Sequence, residues 1–344
     1  GYSQQLEEYL GQVSGDRTIV DSGAVIRDSD RVVDSYIGRG AVVSGARLVA
    51  GSCLLSAPEE PAVVSGGAWV KNSILQWAAE VESLGLVDSS VLCEHSHVER
   101  HGKLTESILG PNSGVGEGEV TASLVGPFVG FHHQSLLIAA VWPEGKGNVG
   151  YGANVGSNHT GKAPDQEIWC GEGTFFGLGV DVKFPSDFTG SPYSILASGI
   201  TCLPQRLEFP FSLINSPSAT IPELSPSINE LFPGWVLDQN IYMIKRNEGK
   251  YLARNKARRE EFVFEVFRPD IVRPGCQEHP RDPDPGHPAE WADHGNRRCN
   301  RRLRERGRER RAAAQGYSAA GLAVQDLRQG QVQDQPLLLH HPTH

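Results

Sequence analysis

A step consisting of a serine followed by hydrophobic residues recurs between residues 35 and 125. Its serines are Ser35, Ser52, Ser73, Ser90, Ser107 and Ser123. Subtraction of their residue numbers gives intervals of 17, 21, 17, 17 and 16 residues, and the long interval contains the insertion Pro58-Glu59-Glu60-Pro61. A short unit repeated at a fixed period cannot bury its hydrophobic side alone and must stack on its neighbours. The period therefore predicts a solenoid.

Hydrophobic residues also recur at every sixth position inside the period, as at Ile37, Val43, Val49 and Leu55. Three such hexads make one turn of about eighteen residues, and the small Ser and Gly residues fit the tight corners of a triangular coil. The pattern resembles the hexapeptide repeat of left-handed parallel β-helices. We therefore expect an all-β solenoid, a left-handed parallel β-helix, with a C-terminal helical extension. The alternative is a β-sandwich, but sandwich strands do not keep one residue-type signature at constant spacing.

The sequence divides into four segments on this interpretation. Residues 1–18 carry hydrophobic residues at helical spacing and predict a lead-in helix or the fragment of an upstream domain, and the chain begins at Gly1 rather than at methionine. The β-helix with loop insertions is expected over 19–205. An extended segment and a basic helix follow over 206–271, and an anomalous tail follows over 272–344.

The basic helix is predicted between Leu237 and Arg259, with Ile241, Ile244 and Tyr251 on an inner face. Its lysines and arginines lie on the outer face. Two interpretations stay open for this charge pattern, docking against the β-helix or a sister subunit, and recognition of phosphate.

The tail contains twelve arginines but no Lys, Met, Phe or Ile. A segment so poor in large hydrophobic residues cannot bury enough surface to offset its loss of conformational entropy. It is interpreted either as a disordered tail or as the product of a shifted reading frame.

Composition excludes several classes of function. A net charge of −9 argues against a nucleic-acid partner. No hydrophobic run approaches the roughly 20 residues needed to cross a bilayer, so no membrane partner is expected. The six cysteines have no paired spacing, which predicts free thiols in a cytoplasmic protein rather than zinc or disulfide sites.

Reactive side chains are densest between Gly126 and Glu167. This stretch resembles a bacterial family of hexapeptide-repeat proteins known as a domain of unknown function, sometimes labelled as relatives of glucose-1-phosphate thymidylyltransferase. The resemblance covers Asp16 to about Val272 and implies the fold rather than an activity. Wider hexapeptide-repeat relatives include acyltransferases, the β-helical ends of sugar nucleotidyltransferases and γ-class carbonic anhydrases.

In the acyltransferase relatives a histidine at the subunit seam removes a proton from the acceptor, a task that suits imidazole because its ordinary pKa is about 6.5. This comparison predicts a transferase for a nucleotide sugar or another phosphorylated small molecule, working as a homotrimer with a coenzyme A thioester as the possible donor. The candidate bases are His132, His133 and His159. The candidate substrate-binding residues are Asn154, Asn158, Lys162, Asp165, Gln166 and Lys183. The alternative is a non-catalytic trimeric scaffold.

A zinc-dependent hydratase of the γ-carbonic-anhydrase kind is a further alternative, since three neutral imidazoles with an open fourth position would activate a water molecule. His95, His97 and His101 lie on one short stretch. Alternation along a strand sends His95 and His97 to one face, and the following turn carries His101 elsewhere. This spacing favours a surface histidine patch, and no metal site is predicted.

Overall fold

The computed structural model describes residues 17–157, 167–219, 222–223 and 228–272. All but the last two residues of the predicted lead-in helix, and all of the anomalous tail except Val272, lie outside the described residues. The described chain winds through three β-sheets, and each turn contributes one short strand to each sheet.

The first sheet has eleven strands. They are Ile19–Val20, Tyr36–Ile37, Cys53–Leu54, Ile74–Leu75, Val91–Leu92, Ile108–Leu109, Leu124–Val125, Ala140–Trp142, Ile168–Trp169, Ser186–Asp187 and Gln205–Arg206. The second sheet has twelve strands. They are Val25–Arg27, Val42–Ser44, Val63–Ser65, Glu80–Val81, His97–Glu99, Gly114–Gly116, Gly130–Phe131, Asn148–Val149, Phe175–Phe176, Ile195–Leu196, Leu213–Asn215 and Glu230–Phe232. The third sheet has ten strands. They are Val32–Val33, Leu48–Ala50, Trp69–Lys71, Leu86–Asp88, Lys103–Thr105, Glu119–Thr121, Leu136–Ile138, Asn154–Ser157, Asp181–Lys183 and Thr201–Cys202.

Strand pairing is parallel from coil to coil, as between Glu80–Val81 and His97–Glu99. The exception within the described chain is Glu230–Phe232, which pairs antiparallel with Leu213–Asn215 and covers the last edge of the second sheet. The prediction of an all-β parallel β-helix with a C-terminal helical extension is therefore confirmed. The solenoid has about eleven turns, and its parallel pairing continues to Leu213–Asn215.

The core is a stack of one inward residue per strand. Val64, Val70, Leu75 and Val81 are fully buried, and they are separated by six, five and six residues. The step from the third sheet to the first is thus one residue short of a hexad, which explains a period of 17 rather than eighteen. For the same reason the inward residue is Leu54, not Leu55 as the strict hexad predicts. Burial of each such side chain contributes about 1.5–3 kcal/mol.

The repeating serines lie at the corner between the third and first sheets, and each is at least 95 % buried. The Ser90 hydroxyl donates to the Asp88 carbonyl at 2.6 Å and accepts the Ser107 N–H at 3.1 Å. Ser107 repeats both contacts with Thr105 and Ser123. The serines therefore form a ladder that satisfies one buried N–H and one carbonyl in each coil.

The C-terminal extension contains three helices, α1 (Trp235–Gln239), α2 (Ile241–Arg254) and α3 (Pro269–Val272). It lies along the corner between the first and second sheets, here called the first corner. Ile244 and Tyr251 of α2 are buried, whereas Ile241 is 42 % exposed. The Tyr251 hydroxyl donates to the Lys146 carbonyl at 2.7 Å, so α2 is fastened to the solenoid. In the described residues no helix is long and apolar enough to cross a membrane.

Candidate functional site

The outer face of the second sheet has a floor of glycines. Gly114, Gly116 and Gly130 occupy outward positions, since Val115 between the first two and Phe131 after the third are buried in the core. Because these residues have no side chains, side chains from adjacent coils can lie directly against the sheet.

Two polar side chains lie over this floor. A Cβ on Gly114 would come within 2.2 Å of His97 Nε2, and a Cβ on Gly130 would come within 3.3 Å of Asn148 Nδ2. His97 and Asn148 therefore lie over Gly114 and Gly130, and the surface that these four residues share is here called the groove. The absence of side chains at these glycines is what lets His97 and Asn148 lie against the sheet.

His132 lies at the end of the groove. Asn148 Nδ2 donates to His132 Nε2 over 3.0 Å. Burial lowers the pKa of His132, and the positive charges of His133 and Lys250 lower it further. The imidazole is therefore neutral near pH 7.

His133 lies at the corner between the second and third sheets, here called the second corner. Its Nδ1 lies 2.8 Å from Glu117 Oε2, and the two side chains are 50 % and 38 % exposed. A carboxylate that accepts from Nδ1 fixes the tautomer and leaves Nε2 as a proton acceptor toward solvent. Glu117 and His133 thus form a carboxylate–histidine dyad.

The other predicted site residues are not all at this place. Asn154 pairs with Leu136 and Asp181 on the third sheet, and Lys183 is on the same sheet, where its Nζ lies 2.6 Å from Asp181 Oδ2. Both residues are on strands of the third sheet rather than at the second corner, so they stay candidates on a neighbouring face. His159, Asn158, Lys162, Asp165 and Gln166 lie outside the described residues.

The histidines weighed for zinc do not form one ligand group. Among the described residues, the group whose ligand atoms lie within 4.8 Å of one another is Glu60, Glu94 and His95, at the first corner. Two arginines already compensate these carboxylates, because Arg259 is 2.9 Å from each of them and Arg258 Nε is 3.5 Å from Glu60 Oε1. Burial alone would raise the pKa of Glu60, but the hydrogen bond and charge of Arg259 outweigh burial and lower it. This group fastens the C-terminal extension.

Sequence reasoning missed Glu117 and Asn148, whereas it placed Lys250 on the basic helix, for which recognition of phosphate was one of two interpretations. A usable signal existed for the first two, since Glu117 precedes His133 by 16 residues and Asn148 follows His132 by 16. Residues one period apart stack on adjacent coils. The position of Lys250 relative to His132 had no such signal, because Lys250 lies on a helix outside the repeat.

The sequence is similar to known proteins over much of its length. A family described as a domain of unknown function (DUF4954) matches residues 2–184. An uncharacterized protein of Treponema pallidum (strain Nichols) is 28 % identical over 257 residues, which cover 74 % of this chain and 34 % of the relative. The chain thus spans about a third of the length of that relative.

Proposed function

From the premise that the chain belongs to the DUF4954 family, whose description names no activity, we propose a group-transfer enzyme that uses the Glu117–His133 dyad as its general base. The observation that carries the proposal is the 2.8 Å contact between Glu117 Oε2 and His133 Nδ1 beside the groove. The preferred reaction is acyl transfer from a coenzyme A thioester to a hydroxyl or amine of a phosphorylated acceptor such as a nucleotide sugar.

The dyad supports each proton movement of this reaction. His133 Nε2 removes the proton from the acceptor hydroxyl or amine as its oxygen or nitrogen bonds to the thioester carbonyl carbon. Glu117 stabilises the imidazolium that forms. The carbon–sulfur bond then breaks, and the departing thiolate receives the proton from His133. Atoms and charges balance without any further reactant.

The neighbouring residues divide the remaining tasks. Asn148 and neutral His132 offer polar contacts to the acceptor at the floor of the groove, and His97 closes the groove on its other side. General base catalysis of this kind contributes about 10²–10⁴-fold to a rate.

A ligand screen followed by an activity assay tests the proposal. Thermal melts of the full chain with coenzyme A thioesters and nucleotide sugars should identify ligands, since a ligand at 100 times its dissociation constant adds about 2.7 kcal/mol of stability. Release of the coenzyme A thiol should then fall at least 100-fold in His133→Ala and by less in Glu117→Gln. His101→Ala, at an exposed position of the same corner, is the control and should keep full activity. If no thioester or sugar nucleotide shifts the melt, the proposal fails.

A non-catalytic scaffold is the second candidate, and the outer face of the first sheet favours it. Ile74, Ile108, Leu124 and Trp169 are 40–44 % exposed there and lie in one outward row. An exposed hydrophobic row marks an interaction surface. We assign it to the contact between copies in a homotrimer, the assembly on which a scaffold depends.

A further inference from the structure

Three basic side chains of α2 form a row that has no carboxylate partner among the described residues. Arg246, Lys250 and Arg254 are four residues apart on a helix of 14 residues, so they share one face with about 6 Å between successive Cβ atoms. In the part of the chain that the structure describes, no carboxylate oxygen lies within 4.0 Å of any of the three.

This lack of pairing contrasts with the arginines that follow α2 in the described part of the C-terminal extension. Arg259 contacts Glu60 and Glu94, and Arg268 contacts Glu172. The chain has 41 acidic residues against 32 Lys and Arg, so carboxylates are abundant. Like charges four residues apart on a helix repel one another and destabilise it. The row contains two such pairs, Arg246 with Lys250 and Lys250 with Arg254.

The row is fixed beside the groove. Lys250 precedes Tyr251, whose hydroxyl is bonded to the Lys146 carbonyl and whose ring packs 5.3 Å from the Phe128 ring. Lys250 is itself half-buried, and burial lowers its pKa, as do Arg254 and Arg246. Tyr251 is bonded to Lys146, which comes two residues before Asn148, so the middle of the row lies near the His132–Asn148 pair. The charge of Lys250 accordingly helps to lower the pKa of His132.

We infer that Arg246, Lys250 and Arg254, together with His132 and Asn148 at the groove, bind the phosphate or diphosphate group of the substrate. Guanidinium groups bind phosphate oxygens in pairs, and a lysine adds a point charge between them. A bound anion would supply the negative charge that no carboxylate of the described residues provides to these three cations. A small phosphorylated molecule is favoured over an acidic protein, because three cations in one short row lie beside a single pair of polar side chains, His132 and Asn148.

The inference rests on the proposed function for its substrate, but its test needs no turnover. Calorimetric titration of the full chain with sodium pyrophosphate, at ionic strength held constant with sodium chloride, should give saturable binding. The Arg246→Ala/Lys250→Ala/Arg254→Ala variant should lose at least tenfold in affinity, and Lys250→Ala alone should lose part of it. Lys245→Ala removes the same charge from another face of α2 and should bind within twofold of the original chain.

Nuclear magnetic resonance of the histidine side chains locates the bound anion. Pyrophosphate should shift the imidazole nitrogen signals of His132 but not those of exposed His101. Absence of saturable binding, an equal loss in Lys245→Ala, or tighter binding of a polyglutamate peptide than of pyrophosphate would each overturn the inference. A chain that binds pyrophosphate but releases no coenzyme A would contradict the proposed function alone.

Discussion

At the scale of single residues, the repeat is held by hydrogen bonds that the hydrophobic pattern does not reveal. A serine at each step fits a tight corner, which any small residue would also do. The buried hydroxyl of Ser90 additionally bridges the Asp88 carbonyl and the Ser107 N–H. Alanine or glycine would fill the space but leave the Ser107 N–H unpaired, whereas the Asp88 carbonyl would keep the Glu106 N–H as a donor. The serine is therefore a requirement of polar satisfaction rather than of size.

Ser90→Ala tests this ladder. The substitution leaves the Ser107 N–H buried without an acceptor, so we expect a loss of about 1–3 kcal/mol in the free energy of unfolding. Urea denaturation followed by circular dichroism measures it. Ser89→Ala, at the exposed neighbouring position, is the control and should change stability by less than about 0.5 kcal/mol. Equal effects of the two variants would show that the ladder contributes nothing specific.

The pKa of His132 gives a second prediction at this scale. Burial is the largest cause of its lowering, and the charges of His133 and Lys250 add to it. Nuclear magnetic resonance should therefore give a titration midpoint below 6.5. Lys250→Ala should move the midpoint up without restoring the ordinary value, because burial remains. A midpoint above 6.5 would contradict the environment described for the groove.

The folded pKa of His132 is below that of the unfolded chain, so the unfolded state binds more protons between the two values. Its contribution is therefore unfavourable to folding below the folded pKa and disappears as pH rises above 6.5. This sign is opposite to that of a histidine stabilised by an ion pair.

At the scale of elements, the C-terminal extension explains unusual residues of the first corner. Phe128, Lys146, Tyr193 and Phe211 have φ between 55° and 59°, a conformation that bulky residues rarely adopt. Their partners lie in the extension. Phe128 packs against Phe262 and Phe264, Lys146 Nζ donates to the Val263 carbonyl, and Phe211 packs against Phe267. Similar φ values recur at the second corner, as at Leu84 and Gln134, so the turn is a general feature of the coils, and the extension covers the bulky side chains that occupy it at the first corner.

Arg259→Ala should release residues 255–264 from the solenoid, a segment here called the tip of the extension. It leaves the buried carboxylates of Glu60 and Glu94 short of a partner, at a cost of about 1–3 kcal/mol. Hydrogen exchange should rise over residues 255–264, and the melting temperature should fall. Arg258→Ala, whose side chain is 64 % exposed, should have the smaller effect.

Acid should release the same contact in the unmodified chain. The pKa of Glu60 is lowered from 4.5, so its stabilisation is complete above that value and is lost as pH falls through the folded pKa. Hydrogen exchange at the tip that stays constant from pH 7 to pH 3 would contradict this role of Glu60.

Sequence reasoning predicted the parallel coils because the serines and hydrophobic residues that specify them recur at a short, regular spacing. It named His132 and His133, but not their partners, because partners were sought within a stretch instead of one period away. The docked extension could not be derived, because contacts such as Arg259 with Glu60 join residues 199 apart and outside the repeat. The period also misplaced Leu55, since the serine corner is shorter by one residue.

At the scale of the whole molecule, the three sheets enclose the core like the sides of a triangle. Each corner joins two sheets and lies opposite the third. The second corner, with Glu117 and His133, is opposite the first sheet. An assembly through the outer face of the first sheet therefore leaves the dyad and the groove open to solvent. This differs from a base at the subunit seam, which the resemblance to acyltransferases implied, and it makes assembly and activity separable by mutation.

The outward row of the first sheet runs through eight successive strands. It consists of Tyr36, Cys53, Ile74, Val91, Ile108, Leu124, Val141 and Trp169. With neighbouring strands about 4.8 Å apart, the row is roughly 34 Å long. A flat hydrophobic row of this length in a chain of net charge −9 favours self-association, because a surface without charges is where acidic copies can approach.

We expect light scattering to give three times the chain mass of 37.3 kDa. Ile108→Glu/Leu124→Glu should dissociate the assembly, because two carboxylates per copy would be buried without partners. Leu84→Glu, at an exposed position of the second corner, should leave the mass unchanged. The dissociated variant should still bind pyrophosphate with the original affinity, since the groove lies on another face. A monomeric original chain would show that this row does not serve self-association, and loss of pyrophosphate binding in the dissociated variant would show that the groove is completed by a neighbouring copy.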